Sequence, residues 1–224
     1  MARVTPAADG GPAGSGPVLR PARMPERDSH GRREEVLDTA LRIFATHGYR
    51  ATTIEDIARE LDFTPAALYY YFKSKASLLT AIVSRPIDMM MAQAREIEAS
   101  DAPAIEKLER AIRGHIRLIT EHREWFSVML REQIEMASDE LGEVNEKNRE
   151  YRRFLTRLID AAVEDGSLTS TNSRVISLIL IGAINWTLQW WREGGVLDSD
   201  EVANILVRLV LDGLRPRHDG PTRG

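Results

Sequence analysis

At 224 residues, with 43% apolar side chains, the chain can hold one large domain or two small ones around a sizeable core. It has no cysteine, which excludes disulfides and thiolate metal sites. A net charge of −4 does not advertise a nucleic-acid partner, although a local basic patch and helix N-termini can hold phosphates on an acidic protein.

Residues 1–31 are rich in Pro, Gly and Ala and almost free of large apolar side chains, so they read as a disordered arm. The stretch lacks the continuous apolar run of a signal peptide, and a cytoplasmic location is expected. Arg3, Arg20, Arg23 and Arg27 make the arm basic. Either it is a solvated tail or it adds phosphate and minor-groove contacts, as homeodomain arms do. The first helix is expected over Arg33 to Thr46, with Val36, Leu37, Ala40, Leu41 and Phe44 on its apolar stripe and Gly48 ending it.

Thr52 to Phe72 carries the clearest local pattern in the chain. Thr53 can cap a short helix whose apolar face is Ile54, Ile57, Ala58 and Leu61. Asp62 and Phe63 break it. Thr64 caps a second helix with Pro65 at its first position, where a missing N–H costs nothing. Ala66 and Ala67 permit close approach to a surface, and Leu68 and Phe72, one turn apart, point inward. Tyr69, Tyr70 and Tyr71 cannot all be buried. This is a helix-turn-helix pattern with its second helix offered to the DNA major groove.

The run from Arg33 to Val83 resembles the N-terminal DNA-binding domain of TetR-family transcriptional regulators. The residues that carry the resemblance are Ala40-Leu41-Arg42-Ile43-Phe44, His47-Gly48-Tyr49, Ala51-Thr52-Thr53-Ile54, Asp56-Ile57-Ala58, Leu68-Tyr69-Tyr70-Tyr71-Phe72, Lys73-Ser74-Lys75 and Leu78-Leu79, in the right order and at the right intervals. The family usually has Gly where this chain has Asp62; Asp tolerates the left-handed conformation better than most residues, at some strain. The resemblance implies DNA contacts from Thr53, Thr64, Pro65, Ala66, Ala67, Tyr69, Tyr70, Tyr71 and Lys75. Thr64, Tyr69, Tyr70 and Lys75 would mostly hold phosphates, with Lys75 reaching one from the start of the fourth helix. The Pro65-Ala66-Ala67 end would touch thymine methyls. The recognition helix has no Arg, Asn or Gln, so shape readout is expected to outweigh bidentate base pairing.

Ser74 can cap the fourth helix, whose apolar face is Leu78, Leu79, Ile82 and Val83. Pro86 is expected to break it near Arg85, leaving a second segment from Ile87 to about Ala99 with the adaptable Met89, Met90 and Met91. Amphipathic helices then follow over Pro103 to Thr120, Trp125 to Met136 and Glu140 to Glu164. No stretch alternates with period two for long enough to form a strand, so the fold class is all-α: a small helix-turn-helix domain over residues 32–77, a helical ligand-binding and dimerisation domain over 78–214, and a short disordered tail over 215–224.

Val175 to Trp191 holds no charged residue, so this helix must be buried on more than one side, yet it falls short of a membrane span. Asp198-Ser199-Asp200-Glu201 reads as a capping box for the last helix, which Gly213 ends. Two such helices predict a two-fold homodimer through a four-helix bundle, which is also how the family dimerises. Its recognition helices would meet a near-palindromic operator about one turn apart.

In the family, a ligand in the C-terminal domain moves the helix that follows the DNA-binding domain and releases the repressor. Trp186 to Gly195 resembles the penultimate helix of a TetR subgroup that controls fatty-acid or steroid-ring breakdown and responds to acyl-CoA thioesters, with an aromatic near the place of Trp186 facing the ligand. An acyl-CoA needs an apolar slot, for which Trp186, Trp190, Phe126, Met129 and Tyr151 are candidates, and cations, for which Arg149 leads a set with Arg113, Arg117, Arg152 and Arg153. Tryptophans at one-turn spacing also suit core or dimer packing.

No nucleophile elbow, phosphate-cradling Gly loop or His cluster with metal spacing appears, so no enzyme activity, cofactor or metal is expected. His115 and His122, two turns apart, read as a polar helix edge. The competing class is a helical adaptor or ligand carrier that does not bind DNA. A membrane-surface protein is disfavoured, because no helix pairs a broad apolar face with a lysine-rich one.

Overall fold

The structure, a computed structural model, describes residues 26–135, 141–169 and 172–215. Among these residues it is all-α, with nine helices: α1 Glu26–His47, α2 Ile54–Glu60, α3 Pro65–Tyr71, α4 Lys75–Glu98, α5 Ala104–Glu121, α6 Arg123–Glu135, α7 Gly142–Glu164, α8 Ser173–Trp190 and α9 Ser199–Leu214. The expected arm up to residue 25, Met136 and the tail beyond Arg215 lie outside the described residues.

α1 begins at Glu26, seven residues ahead of the expected Arg33, so residues 26–31 of the expected arm are helical. The added turns are polar in sequence, and the Arg32–Glu35 pair at 3.0 Å supports the helix where they meet its apolar stripe. The N-terminal core gathers Val36, Leu37, Ala40, Leu41 and Phe44 of α1, Ile54, Ile57 and Ala58 of α2, Leu68 and Phe72 around α3, and Leu78, Leu79 and Ile82 of α4.

α4 joins the two halves of the molecule. Pro86 does not break it: the helix is continuous through a buried Pro86, with Ile82, Val83, Ile87 and Met90 buried around it. The lost backbone bond costs about 3 kcal/mol in an isolated helix. Packing on both sides of the proline, against α6 and α7, outweighs that local preference. Arg85, beside it, pairs with Glu34 of α1 and lies 4.9 Å over the Trp125 ring of α6, so three helices meet at the junction.

α5 is the axis of the C-terminal half. Its Leu108, Ile112, Ile116 and Ile119 are buried, and α4, α7, α8 and α9 all pack on it. The Gln93 side chain of α4 lies over Gly114, where a Cβ would fall 1.9 Å from its Nε2. Among the described residues no helix is long and apolar enough to cross a membrane.

Candidate nucleic-acid interface and ligand cavity

Two of the caps read from the sequence, Thr53 and Thr64, build the N-terminal interface. Thr53 Oγ1 accepts from the Asp56 amide at 3.1 Å, and the Asp56 carboxylate accepts from the Thr53 amide at 2.9 Å and from its hydroxyl at 2.7 Å. These bonds hold the Asp56 carboxyl below its ordinary range. They also occupy the Thr53 hydroxyl as donor and acceptor, so Thr53 fixes α2 more than it offers a contact. Thr64 Oγ1 accepts from the Ala67 amide at 3.2 Å, which leaves its own proton to donate outward. Asp62 makes the turn at φ +56°, the left-handed conformation where the family usually has Gly.

α3 presents Thr64, Pro65, Ala66, Tyr69 and Tyr70 on one exposed surface, with Ala67 partly covered and Tyr70 77% exposed. Tyr71 turns back and stacks on Phe63 at 6.5 Å between centroids. Lys75 departs from expectation. Its ammonium donates to the Tyr49 carbonyl at 2.9 Å and the Thr52 carbonyl at 2.8 Å, and it sits 4.2 Å from the Tyr49 ring centroid. Two of its three donors tie α4 to the loop before α2, so at most one remains for a phosphate.

In the C-terminal half, α4, α5, α6, α7 and α8 line a partly open cavity of about 210 Å³, with Met90, His115, Met129, Leu130, Asn148, Tyr151, Arg152, Ile181 and Asn185 in its wall. Of the expected ligand residues, Met129 and Tyr151 line it, and Phe126 packs behind, 6.1 Å from the His115 ring. His115 is not on a polar edge. It is 1% exposed, Tyr151 Oη lies 3.3 Å from its Nδ1, and burial pushes its pKa down to about 3, so the imidazole is neutral. The same burial pushes the Tyr151 phenol up, keeping it protonated.

Beside the cavity, with Arg152 in both walls, runs an open groove of about 660 Å³ between α7 and α8. Arg149, Arg152, Arg153, Arg157 and Arg174 line it. Glu146, Glu150 and Glu98 answer three of these: Arg149 pairs with Glu146 at 2.5 Å, Arg153 with Glu146 at 3.0 Å, and Arg157 with Glu98 at 2.6 Å. Arg152 and Arg174 have no carboxylate partner among the described residues, and Arg174 stands in the first turn of α8, where a cation meets the unfavourable end of the helix dipole. The unmatched positive charge of the groove therefore sits on Arg152 and Arg174 rather than on Arg149. Arg174 was absent from the sequence candidates; its one signal was a lone basic residue opening an otherwise uncharged helix. Arg113 and Arg117 face α9 instead, bonded to Asn204 at 2.6 Å and paired with Asp200 at 3.7 Å.

Trp186 and Trp190 are not brought to the cavity. They are 65% and 49% exposed, on an outer face that also holds Val175, Leu178 and Ile179 of α8. Ile205 and Leu209 are likewise exposed on α9. The helix repeat separates the two sets: Ile181 and Asn185 point to the cavity, Gly182 and Trp186 away from it.

One residue connects cavity and interface. On α6, Met129 and Leu130 line the cavity, while the next residue, Arg131, donates to the carbonyls of Phe44 and Ala45 at the end of α1. A guanidinium on the last carbonyls of a helix also complements its dipole.

A helix-turn-helix with an exposed second helix, joined to a second helical unit that holds a cavity, is the architecture of a DNA-binding transcriptional regulator. Comparison with known proteins agrees. The sequence profile described as "Bacterial regulatory proteins, tetR family" matches residues 36–82, and "Tetracyclin repressor-like, C-terminal domain" matches residues 101–214. The chain is 31% identical over 191 residues to the HTH-type transcriptional repressor KstR2 of Rhodococcus jostii, covering 84% of this chain and 94% of that protein. The structure of the ketosteroid transcriptional regulator KstR2 of Mycobacterium tuberculosis superposes with a TM-score of 0.77 at 24% identity, over 83% of this chain and 96% of that one. AibR, solved in complex with isovaleryl coenzyme A and operator DNA, has a TM-score of 0.73 at 24% identity, over 80% and 97% of the two chains.

The chain belongs to the TetR family of bacterial regulatory proteins and is a DNA-binding transcriptional regulator.

Proposed function

We propose that this protein is a cytoplasmic, non-enzymatic repressor that binds a near-palindromic operator as a homodimer and is released by an acyl-CoA thioester. The observation that carries the effector is the pairing of a partly apolar cavity between five helices with an arginine-walled groove that shares Arg152 with it. Such a site divides a thioester naturally: the acyl group in the cavity, the phosphates on Arg152 and Arg174. The relatives support the same class. KstR2 is named for ketosteroid regulation, and AibR was solved with isovaleryl coenzyme A.

The operator face is α3, with the Thr64 hydroxyl and Tyr69 and Tyr70 on phosphates and Pro65, Ala66 and Ala67 against the groove floor. The exposed apolar residues of α8 and α9 make the homodimer contact; a monomer rarely leaves so much apolar surface to water. Release follows if the thioester favours a position of α6 in which Arg131 no longer holds α1 in its DNA-bound pose. A coupling of ~1–3 kcal/mol weakens operator binding roughly 5- to 150-fold.

The test is fluorescence anisotropy on the DNA upstream of its own gene, at two salt concentrations, with a panel of acyl-CoA thioesters. Tight, salt-sensitive binding that one thioester reverses is expected. DNA binding that no thioester reverses would remove the effector. Salt-insensitive or absent binding, also after selection from random sequences, would favour a helical carrier that does not bind DNA.

A further inference from the structure

Four buried side-chain polar atoms lack a hydrogen-bond partner among the described residues, and three of them belong to residues that line one cavity: His115 Nε2, Asn148 Nδ2 and Asn185 Oδ1. They come from α5, α7 and α8, so no local turn or cap collects them. Leaving a buried polar group unpaired is costly, and packing alone would not concentrate three of them at one point. The rest of the wall is apolar: Met90, Met129, Leu130 and Ile181.

The chemistry of the three atoms is specific. The protonated Tyr151 phenol is the better donor of its pair and gives its proton to His115 Nδ1, which places the ring proton on Nε2 and makes that atom a donor. Asn148 presents an amide N–H and Asn185 a carbonyl, and an amide can turn over its two ends to suit a partner. A saturated chain in this cavity would exclude water and strand all three groups. An anion would find a neutral imidazole and no cation but Arg152 at the rim. The cavity of about 210 Å³ is also short of the range typical of drug-sized ligand pockets, ~300–1,000 Å³.

We infer that the acyl part of the effector is compact and carries neutral oxygen functions, keto or hydroxyl, which pair with His115, Asn148 and Asn185; this rests on the thioester reading above. These three residues then set specificity, while the arginine groove holds the part common to every thioester.

The experiment is calorimetric titration of the full-length protein with cyclohexanecarbonyl-CoA, its 3- and 4-oxo and 3- and 4-hydroxy derivatives, and octanoyl-CoA. At least one oxygenated ring should bind ten-fold or more tighter than the plain ring, and octanoyl-CoA should be weaker than that derivative. Asn185→Leu, close in size, should erase the preference by tightening the plain ring and weakening the hydroxylated one; His115→Phe should weaken the oxo ring in the same way. Equal or tighter binding of the plain ring or of octanoyl-CoA, or a preference that survives both variants, would overturn this inference and leave the thioester reading standing. No heat from any thioester, with operator binding intact, would overturn both.

Discussion

The outer face of α8 and α9 gives the sharpest mutational prediction. Trp186→Arg should convert a dimer to a folded monomer. Trp186 is 65% exposed in the single chain. A tryptophan buries up to ~250 Å², so covering the exposed part removes ~160 Å² per subunit, worth ~4 kcal/mol at ~25 cal/mol per Å². Two-fold symmetry counts the residue twice, for ~8 kcal/mol at the upper limit. Association costs and imperfect packing reduce this, and half of it, ~4 kcal/mol, still weakens dimerisation about 10³-fold. An introduced arginine adds an unpaired charge to the same contact. Sedimentation velocity from micromolar concentration downward reads the change. Because Trp186 is mostly in water within its own subunit, the monomer's thermal unfolding should change little, and thioester binding in the cavity should persist. A W186R protein whose dimer dissociates over the same concentration range as wild type, or one that loses the thioester instead, would refute the assignment of this face.

Three further outcomes follow from particular residues. Asp62→Gly should stabilise the protein by ~0.5–1 kcal/mol, because it relieves a left-handed φ of +56° at the price of unfolded-state entropy; chemical denaturation midpoints at equal m-value measure it. Stability should fall on mild acidification: the unfolded chain takes up a proton on His115 near its ordinary value of 6.5, while the folded protein refuses it until about 3. Lower pH therefore favours unfolding across that window, by ~2 kcal/mol between pH 7 and pH 5, and urea melts of wild type against His115→Phe should show the variant with a flatter pH slope. Arg131→Met should leave thioester affinity within about two-fold, since the side chain points away from the cavity, but cut the ligand-induced loss of operator affinity toward one-fold; unchanged coupling would remove α6 as the link.

The parts of this protein legible in its sequence are those that local rules decide. Thr53, Thr64 with Pro65, Ser74 and Asp198 cap their helices as their spacing predicts, since a cap depends on three or four neighbouring residues. Asp62 takes the strained turn for the same reason. Pro86 shows the limit: its local cost is real, but packing of α4 against α6 and α7 overrules it, and no local rule contains those helices. The tryptophans mark a second limit. Trp186 and Trp190 share one helical face whether that face meets a ligand, a core or a second subunit, and only the position of α8 on α5 turns it outward. His115 and the arginines mark a third. A histidine on a helix edge and one facing a cavity look alike in sequence. Arg149 meets Glu146 at a local three-residue spacing, but that Arg152 alone also stands in the cavity wall depends on how α7 packs.

The most direct test of the account adds a thioester to the operator-bound protein and follows anisotropy for wild type and for the double variant Arg152→Gln, Arg174→Gln. Both residues lie far from α3 in sequence and in neither core, so both proteins should bind the operator equally. The account predicts that wild type is released and that the double variant needs at least ten-fold more thioester. Release of both at the same concentration, or of neither, would contradict it.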